Sequence, residues 1–407
     1  MSSSSRDFSG ILTKLGLQPM EAPAMVANRK AKLFIGIPKE QSFQEHRIAI
    51  TPESVRVLTA NGHRILIEEN AGRESHFYDN DFSEAGAEIV KDVEAVYKAD
   101  IILKVAPPMP YEIELMQMNQ TLISPLHLPT LKQEYIEMLM KKRITAMAYE
   151  YTKDEAGLFP FVRSMSEIAG NSVVLIAGEF LSNANDGKGI LLGGISGVPP
   201  AKVVILGAGV VGTFAARAVI GLGATVSVFD NNVYKLMRLQ ERIGARVFTS
   251  TIQPEILAQE LENADVAIGA IHSKKGQTPV LVTEQMVERM KPGAVIIDVS
   301  IDQGGCFETS EITSHLKPTF KKYGVIHYCV PNITSRVSRT ASYAFSNILT
   351  PILLRMGELQ GMQGLIFEDV GIRNGIYLYK GNLTNEHLAR IFHIKHSNLE
   401  LLFASNI

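Results

Sequence analysis

The stretch KVVILGAGVVGTFAARAVIGLGATVSVFD, Lys202–Asp230, decides the fold of this chain. An apolar, β-branched run, Lys202–Leu206, leads straight into Gly207-Ala208-Gly209-Val210-Val211-Gly212. A helical pattern follows over Thr213–Ile220, Gly221–Ala224 makes a turn, and TVSVF leads to Asp230. Each part has a physical task. Gly207 permits the tight turn, Gly209 has no Cβ to hold a pyrophosphate off the backbone, and Gly212 lets the helix lie close on the strand. The helix N-terminus offers free N–H groups and a partial positive charge to the phosphates. Asp230 ends the second strand, where a carboxylate accepts the ribose hydroxyls and repels a 2′-phosphate. Strand, glycine turn, helix, strand and acid fall in the order a dinucleotide-binding unit needs, and they favour NAD over NADP.

Working outward, the same grammar recurs on both sides. Upstream, Lys32–Pro38, Arg64–Glu69, Asp100–Ala106, Gln120–Leu128 and Arg143–Tyr151 read as strands separated by helical patterns. One of these helices is TPESVRVLTAN, Thr51–Asn61, with Thr51 as cap, Pro52 at the first position and Glu53 in the first turn. Downstream, RVFTS, VAIGAI, AVIIDVS and VIHYCV (Val325–Val330) are runs suited to strands buried on both faces. Alternation of strand and helix implies parallel sheets covered on both sides. From Ala341 the pattern turns helical, and the economical arrangement packs it back on the first unit. The expectation is an α/β chain of two doubly wound domains, a Rossmann NAD-binding domain inserted in a discontinuous α/β substrate domain. The boundaries read as an N-terminal extension over 1–31, a first substrate segment over 32–164, the NAD-binding domain over 165–338, and a second substrate segment with the tail over 339–407.

The bulk numbers set limits. A chain of 407 residues suits two or three domains, and 46% apolar with 20% charged residues is ordinary for large packed cores. A net charge of −2 gives no basic stripe for nucleic acid. Two cysteines, Cys306 and Cys329, make neither a disulfide framework nor a metal spacing, so no metal is expected and a reducing cytoplasm is the natural compartment. The N-terminus has no signal-peptide apolar core. Val203–Phe229 is long and apolar enough to invite a membrane reading, but Arg217 and its glycines fit strand–turn–helix–strand better.

In doubly wound sheets ligands sit beyond the carboxyl ends of the strands. Polar residues there are Lys104 after DIIL, His127 in SPLHLP, Asp302 before Gln303-Gly304-Gly305, and Arg47 in QEHRIAITP. Each has a plainer reading: Arg47 as a solvated loop charge, His127 as a satisfied core histidine, Asp302 as a turn former, Lys104 as a paired or solvated strand end. As a set they make chemistry. Arg47 and Lys104 suit a small carboxylate, Lys104 also suits a carbonyl, His127 exchanges protons near neutral pH, and Asp302 orients a nucleophile or an ammonium group.

These residues resemble the alanine dehydrogenase and transhydrogenase α-subunit superfamily from about Lys32 to about Pro351. The segments that carry the likeness are IGIPKEQSFQEHRIAITPESV, ILKVAPP, LHL, MSEIAGNSV, the glycine turn with its preceding GKGILLGGISGVPPAK, and MKPGAVIIDVSIDQGGCFETS. The resemblance implies reversible oxidative deamination of L-alanine to pyruvate and ammonia, NAD as hydride acceptor, and a hexamer. It implies Arg47 and Lys104 for the substrate and His127 and Asp302 as catalytic residues. Around the cofactor it implies Ser166, Val210, Val211, Asp230, Lys235, Ile271, His272, Val299 and Asn332, beside Gly207, Gly209 and Gly212. The chain departs from the family in VPNITSRVSRTAS, Val330–Ser342, where Pro331, Ile333, Thr334 and Ser338 differ from the usual residues. That loop leaves open the exact amino acid. The rival expectations are a dehydrogenase of another small amino acid, a soluble transhydrogenase-like module, and a non-catalytic NAD-sensing protein. The presence of Arg47, Lys104, His127 and Asp302 argues against the last two.

Overall fold

The structure, a computed structural model, describes residues 31–42, 44–273 and 276–404, so the expected N-terminal extension lies almost wholly outside the described residues. The first strands are β1 (Phe34–Ile37), β2 (Arg64–Glu68), β3 (Glu88–Val90), β4 (Ile101–Leu103), β5 (Thr121–Ser124) and β6 (Thr145–Ala148). A second series follows: β7 (Lys202–Leu206), β8 (Thr225–Phe229), β9 (Phe248–Ser250), β10 (Val266–Gly269), β11 (Val295–Asp298), β12 (Thr319–Lys322) and β13 (Val325–Tyr328). Two late strands, β14 (Ile376–Tyr379) and β15 (Asn382–Leu383), rejoin the first sheet.

The sheet orders are β15-β14-β6-β5-β4-β1-β2-β3 and β12-β13-β11-β10-β7-β8-β9. Pairing is parallel except where β12 meets β13 and where β14 meets β6 and β15. Each sheet therefore reverses its winding once, between β1 and β4 and between β7 and β10. Such switch points leave a crevice at the strand carboxyl ends. The expected α/β class and its two sheets are what the chain forms.

Strand identity follows from burial. β4, β6, β10, β11 and β13 are buried at every position, as both-face coverage demands. Helix Ser338–Glu358 sends Phe345, Leu349, Leu353 and Met356 into the core against one face of the first sheet. Ile136, Leu139 and Leu388 cover its other face. The second sheet is covered by Val173, Ala215 and Val219 on one side and by Leu257, Leu261 and Val287 on the other.

Three local expectations differ from the result. The helix after the glycine turn begins at Val210 rather than Thr213, because helical geometry starts as soon as Gly209 has made the turn. Thr51 sits at the cap position of helix Pro52–Ala60, but its side chain makes no cap bond; its N–H donates to Ser346 Oγ at 3.0 Å. The late strands β14 and β15 were not read from the sequence, because IYLY is as compatible with a buried helical turn as with a strand.

Helix Pro160–Leu181 spans the expected 164/165 boundary without a break. Its Phe161 belongs to the first core, whereas Ala169, Val173 and Leu181 belong to the second. Where it crosses helix Val210–Gly221, Gly170 is pressed close: a Cβ there would lie 2.5 Å from the Val211 carbonyl oxygen and 2.7 Å from Phe214 Cβ. Gly170→Val is therefore expected to force the helices apart and to cost about 2–3 kcal/mol. Thermal denaturation checks this, and an unchanged Tm would contradict the packing described.

Candidate active site

A cavity of about 750 Å³ opens where the carboxyl ends of the two sheets face each other. From the first sheet come Glu45 and Arg47 after β1, Val105, Ala106 and Pro107 after β4, Pro125 and His127 after β5, and Tyr149 and Glu150 after β6. Met165 and Ser166 enter from the bridging helix. From the second sheet come Gly209, Val210, Val211, Ile271, His272, Val299 and Asp302. The loop after β13 adds Asn332 and Thr334, and His315 lies opposite Glu45.

The glycine turn has the shape of a phosphate cradle. A Cβ on Gly212 would lie 1.8 Å from the Gly207 carbonyl oxygen, so only glycine lets the helix start so near the strand. Gly209 has open space before it and lines the cavity. Asp230 is buried at the end of β8. Its Oδ2 accepts from the Ala208 N–H at 2.9 Å, its Oδ1 from the Asn232 N–H at 2.8 Å, and Lys235 Nζ stands 3.5 Å from Oδ2. Gly207, Gly212, Asp230 and Lys235 thus shape or flank the cradle and do not line the main cavity.

Arg47 is buried and is built into a ring of polar contacts. Its Nε donates to Glu45 Oε1 at 2.7 Å and its Nη2 to Glu45 Oε2 at 2.5 Å. Its Nη1 donates to Thr334 Oγ1 at 3.0 Å. Thr334 Oγ1 donates to Asn332 Oδ1 at 3.3 Å, and Asn332 Nδ2 donates to Glu45 Oε2 at 2.8 Å, which closes the ring. Burial alone would raise the Glu45 carboxyl, but the guanidinium outweighs it and holds it low. A bidentate arginine–carboxylate pair of this kind is strong and directional.

Lys104, expected beside Arg47 as a substrate residue, is held in a cluster of carboxylates. It does not line the cavity. Its side chain is fully buried, with Nζ 2.7 Å from Glu112 Oε1 and 3.0 Å from Glu40 Oε2. Burial would depress its ammonium, but the two carboxylates override this and keep it charged. The physical reason is the end of β4: the chain turns so that Val105, Ala106 and Pro107 take the cavity wall and Lys104 points into the protein. Glu40 also accepts the Val105 N–H at 2.6 Å, so this cluster shapes the wall from behind.

His127 and Asp302 line the same cavity, His127 from the first sheet and Asp302 from the second. Asp302 lies in the turn Val299–Gln303 directly after β11. Crowding by the cleft walls raises its carboxyl, against the positive influence of His127 and Arg47. Asp298 beneath organises this turn by accepting from Ser300 N at 3.0 Å, Cys306 N at 2.8 Å and Ser310 Oγ at 2.8 Å. Glu45, Glu150, His315 and Thr334 were not read from the sequence as site residues. Glu150 lies two residues past the end of β6, in the turn Tyr149–Tyr151, so the strand-end rule extended to acids just beyond a strand would have found it. His315 and Thr334 come from loops and carry no such signal. Among the described residues, no group of three His, Cys, Asp or Glu side chains is placed to hold a metal, and no helix is long and apolar enough to cross a membrane.

Fold and site together define a two-domain dinucleotide-binding protein whose reactive groups converge between its sheets. The family models described as alanine dehydrogenase/PNT, N-terminal domain and C-terminal domain, match residues 36–169 and 173–386. The chain is 40% identical over 359 residues to an alanine dehydrogenase of Bacillus subtilis, covering 88% of this chain and 94% of that one. It is 38% identical over 367 residues to alanine dehydrogenase 2 of Staphylococcus aureus, covering 90% and 98%. A solved L-alanine dehydrogenase superposes with a TM-score of 0.84 at 38% identity, covering 88% of this chain and 99% of that one. A transhydrogenase from Sinorhizobium meliloti gives 0.74 at 25% identity, covering 87% and 99%. The chain belongs to the alanine dehydrogenase/PNT family.

Two stability predictions follow from the buried charges. Lys104→Met leaves two carboxylates without their cation and is expected to cost about 3–5 kcal/mol in chemical denaturation. A loss below 1 kcal/mol would show that the pair is not as buried as described. Burial pushes the Glu150 carboxyl up to about 7 from 4.5, against hydrogen bonds from Leu126 and His127. A carboxyl raised in the folded state favours folding most when protonated, so its contribution falls as pH rises from about 4.5 through about 7. Glu150→Gln does not titrate; its stability relative to the parent should grow by up to about 3 kcal/mol between pH 5 and pH 8. A pH-independent gap in Tm would refute the shift.

Proposed function

We propose that the chain catalyses reversible oxidative deamination of L-alanine: L-alanine, NAD⁺ and water give pyruvate, NADH, ammonium and a proton. The observation that supports it best is the convergence of Arg47, His127 and Asp302 in one cavity in front of the glycine turn. The name shared by the relatives supports the choice of substrate.

The cradle of Gly207, Gly209 and Gly212 fits a pyrophosphate, with Val210 and Val211 N–H groups at the helix start. Asp230 and Lys235 would hold the adenosine side, with Asp230 selecting NAD over NADP. Ser166, Ile271, His272, Val299 and Asn332 would line the rest of the cofactor's path. When bound, NAD supplies the hydride acceptor. Arg47 binds the substrate carboxylate through the Nη2 hydrogen that Glu45 leaves over; Nη1 already donates to Thr334 Oγ1 and to Met165 Sδ at 3.2 Å. The wall Val105–Pro107 excludes water from the opposite side. His127 takes a proton from the water that attacks the imine carbon and returns one as the carbinolamine collapses. Asp302 orients the amino group and then the leaving ammonia. Lys104 supports this wall and makes no substrate contact in this reading. The same reading includes a cytoplasmic location and a homo-oligomer, with the hexamer of the family as the expected size. Exposed apolar side chains of Leu175, Leu191, Ile195 and Val198 are the surface such an assembly would cover.

The test is NADH formation from L-alanine, compared with serine and glycine and with the reverse reaction on pyruvate plus ammonium. Turnover on another amino acid but not on alanine would overturn the substrate. His127→Asn and Asp302→Asn are each expected to lower kcat by at least about 100-fold with NADH affinity kept. NAD is expected to exceed NADP by about 100-fold in kcat/KM, and Asp230→Ala should narrow that gap.

A further inference from the structure

His127 stands on an unusual piece of backbone. Its φ of 50° and ψ of 59° are left-handed, a conformation that costs a side-chain-bearing residue about 1 kcal/mol or more. Something must hold it there. Glu150 Oε1 accepts the Leu126 N–H at 2.7 Å and lies 3.4 Å from the His127 N–H. The residue therefore sits over a buried carboxylate that draws the loop after β5 onto the end of β6. Glu150 Oε2 is buried with no hydrogen-bond partner among the described residues, so Oε1 carries the interaction.

The ring is held separately. His127 Nδ1 is 2.9 Å from Thr130 Oγ1, and Thr130 Oγ1 donates to the His127 carbonyl oxygen at 3.2 Å. A hydroxyl has one proton. If Nδ1 lacked a proton, that hydroxyl proton would have to serve both acceptors, and one contact would fail. If Nδ1 carries the proton, it donates to Oγ1 while Oγ1 donates to the carbonyl, and both contacts are bonds. The lone pair then belongs to Nε2. The imidazolium makes the same Nδ1–H bond, so taking up a proton at Nε2 needs no rearrangement around Thr130.

We propose that Thr130 and Glu150 are positioning residues that make His127 a base at Nε2, Thr130 by holding the Nδ1–H tautomer and Glu150 by gripping the backbone at its left-handed turn. The inference rests on the proton-transfer role proposed for His127. Thr130 does not line the cavity; Glu150 does, and in this inference it acts through its contacts with the Leu126 and His127 N–H groups. Thr130 is exposed, so its replacement leaves the core untouched.

The experiment measures kcat and KM for L-alanine, and NADH affinity by fluorescence titration, in Thr130→Val, Thr130→Ser, Glu150→Leu and Glu150→Gln, with His127→Asn as reference. Serine keeps the hydroxyl, and glutamine keeps a carbonyl oxygen at Oε1. Thr130→Val and Glu150→Leu are expected to lower kcat about tenfold or more, as a misheld tautomer or ring does. KM for alanine and NADH affinity should stay within about twofold, and the serine and glutamine variants within about threefold of the parent in kcat. Thr130→Val at parental kcat, while His127→Asn has lost turnover, would overturn the proposal and leave the role of His127 standing. Equal losses in Thr130→Ser and Thr130→Val would overturn it too, by showing a merely steric role. Parental turnover in His127→Asn would overturn the role of His127 and this inference with it. If Glu150→Leu does not fold, the threonine pair and Glu150→Gln still decide the outcome.

Discussion

The pairing of Glu45 with Arg47 is the interaction on which the site depends. Neither charge can be left alone out of water, and removing one partner of a buried pair typically costs 3–5 kcal/mol. Here the pair is satisfied from both sheets, because Thr334 and Asn332 reach it from the loop after β13. The Arg47 guanidinium is therefore also the point at which the two halves of the cleft are tied. A cavity open between two sheets keeps its shape only if some such contact fixes their separation. The continuous helix Pro160–Leu181, with one end in each core, provides the second fixed point.

Arg47 and Lys104 show how two buried cations in the connections after neighbouring strands come to have different surroundings. Both are held charged by carboxylates. Arg47 has a planar fork with more donors than Glu45 can use, and it faces the cavity. Lys104 is a point charge enclosed by Glu40 and Glu112, and it does not line the cavity. The cavity thus presents one guanidinium, with His127, His272 and His315, opposite the carboxylates of Glu45, Glu150 and Asp302.

The strongly periodic parts of the fold were legible in the residues. Lys202–Asp230 folds as its glycines require, and the strand ends that pointed to Arg47, His127 and Asp302 do point into one cavity. What could not be read was direction. Lys104 obeys the same strand-end rule, yet the turn after β4 sends it inward. Glu150 was overlooked because an acid after AMAY has an ordinary solvated alternative. β14 and β15 were missed because a short apolar run has no period to distinguish strand from turn.

By itself, then, the sequence determined the class of the chain: two covered parallel sheets, a phosphate-binding turn, and a short set of polar residues at strand ends. These follow from local rules, since glycine geometry, side-chain alternation and burial act over a few residues. The tertiary structure alone decided which of those residues share solvent and which share a core. It sealed Lys104 between two glutamates, brought Thr334 to Arg47 and Asn332 to Glu45, each across 287 positions of chain, and set His127 on a left-handed turn above Glu150. The reason is that a charge's role depends on what surrounds it after folding, and its neighbours in the sequence do not specify those surroundings.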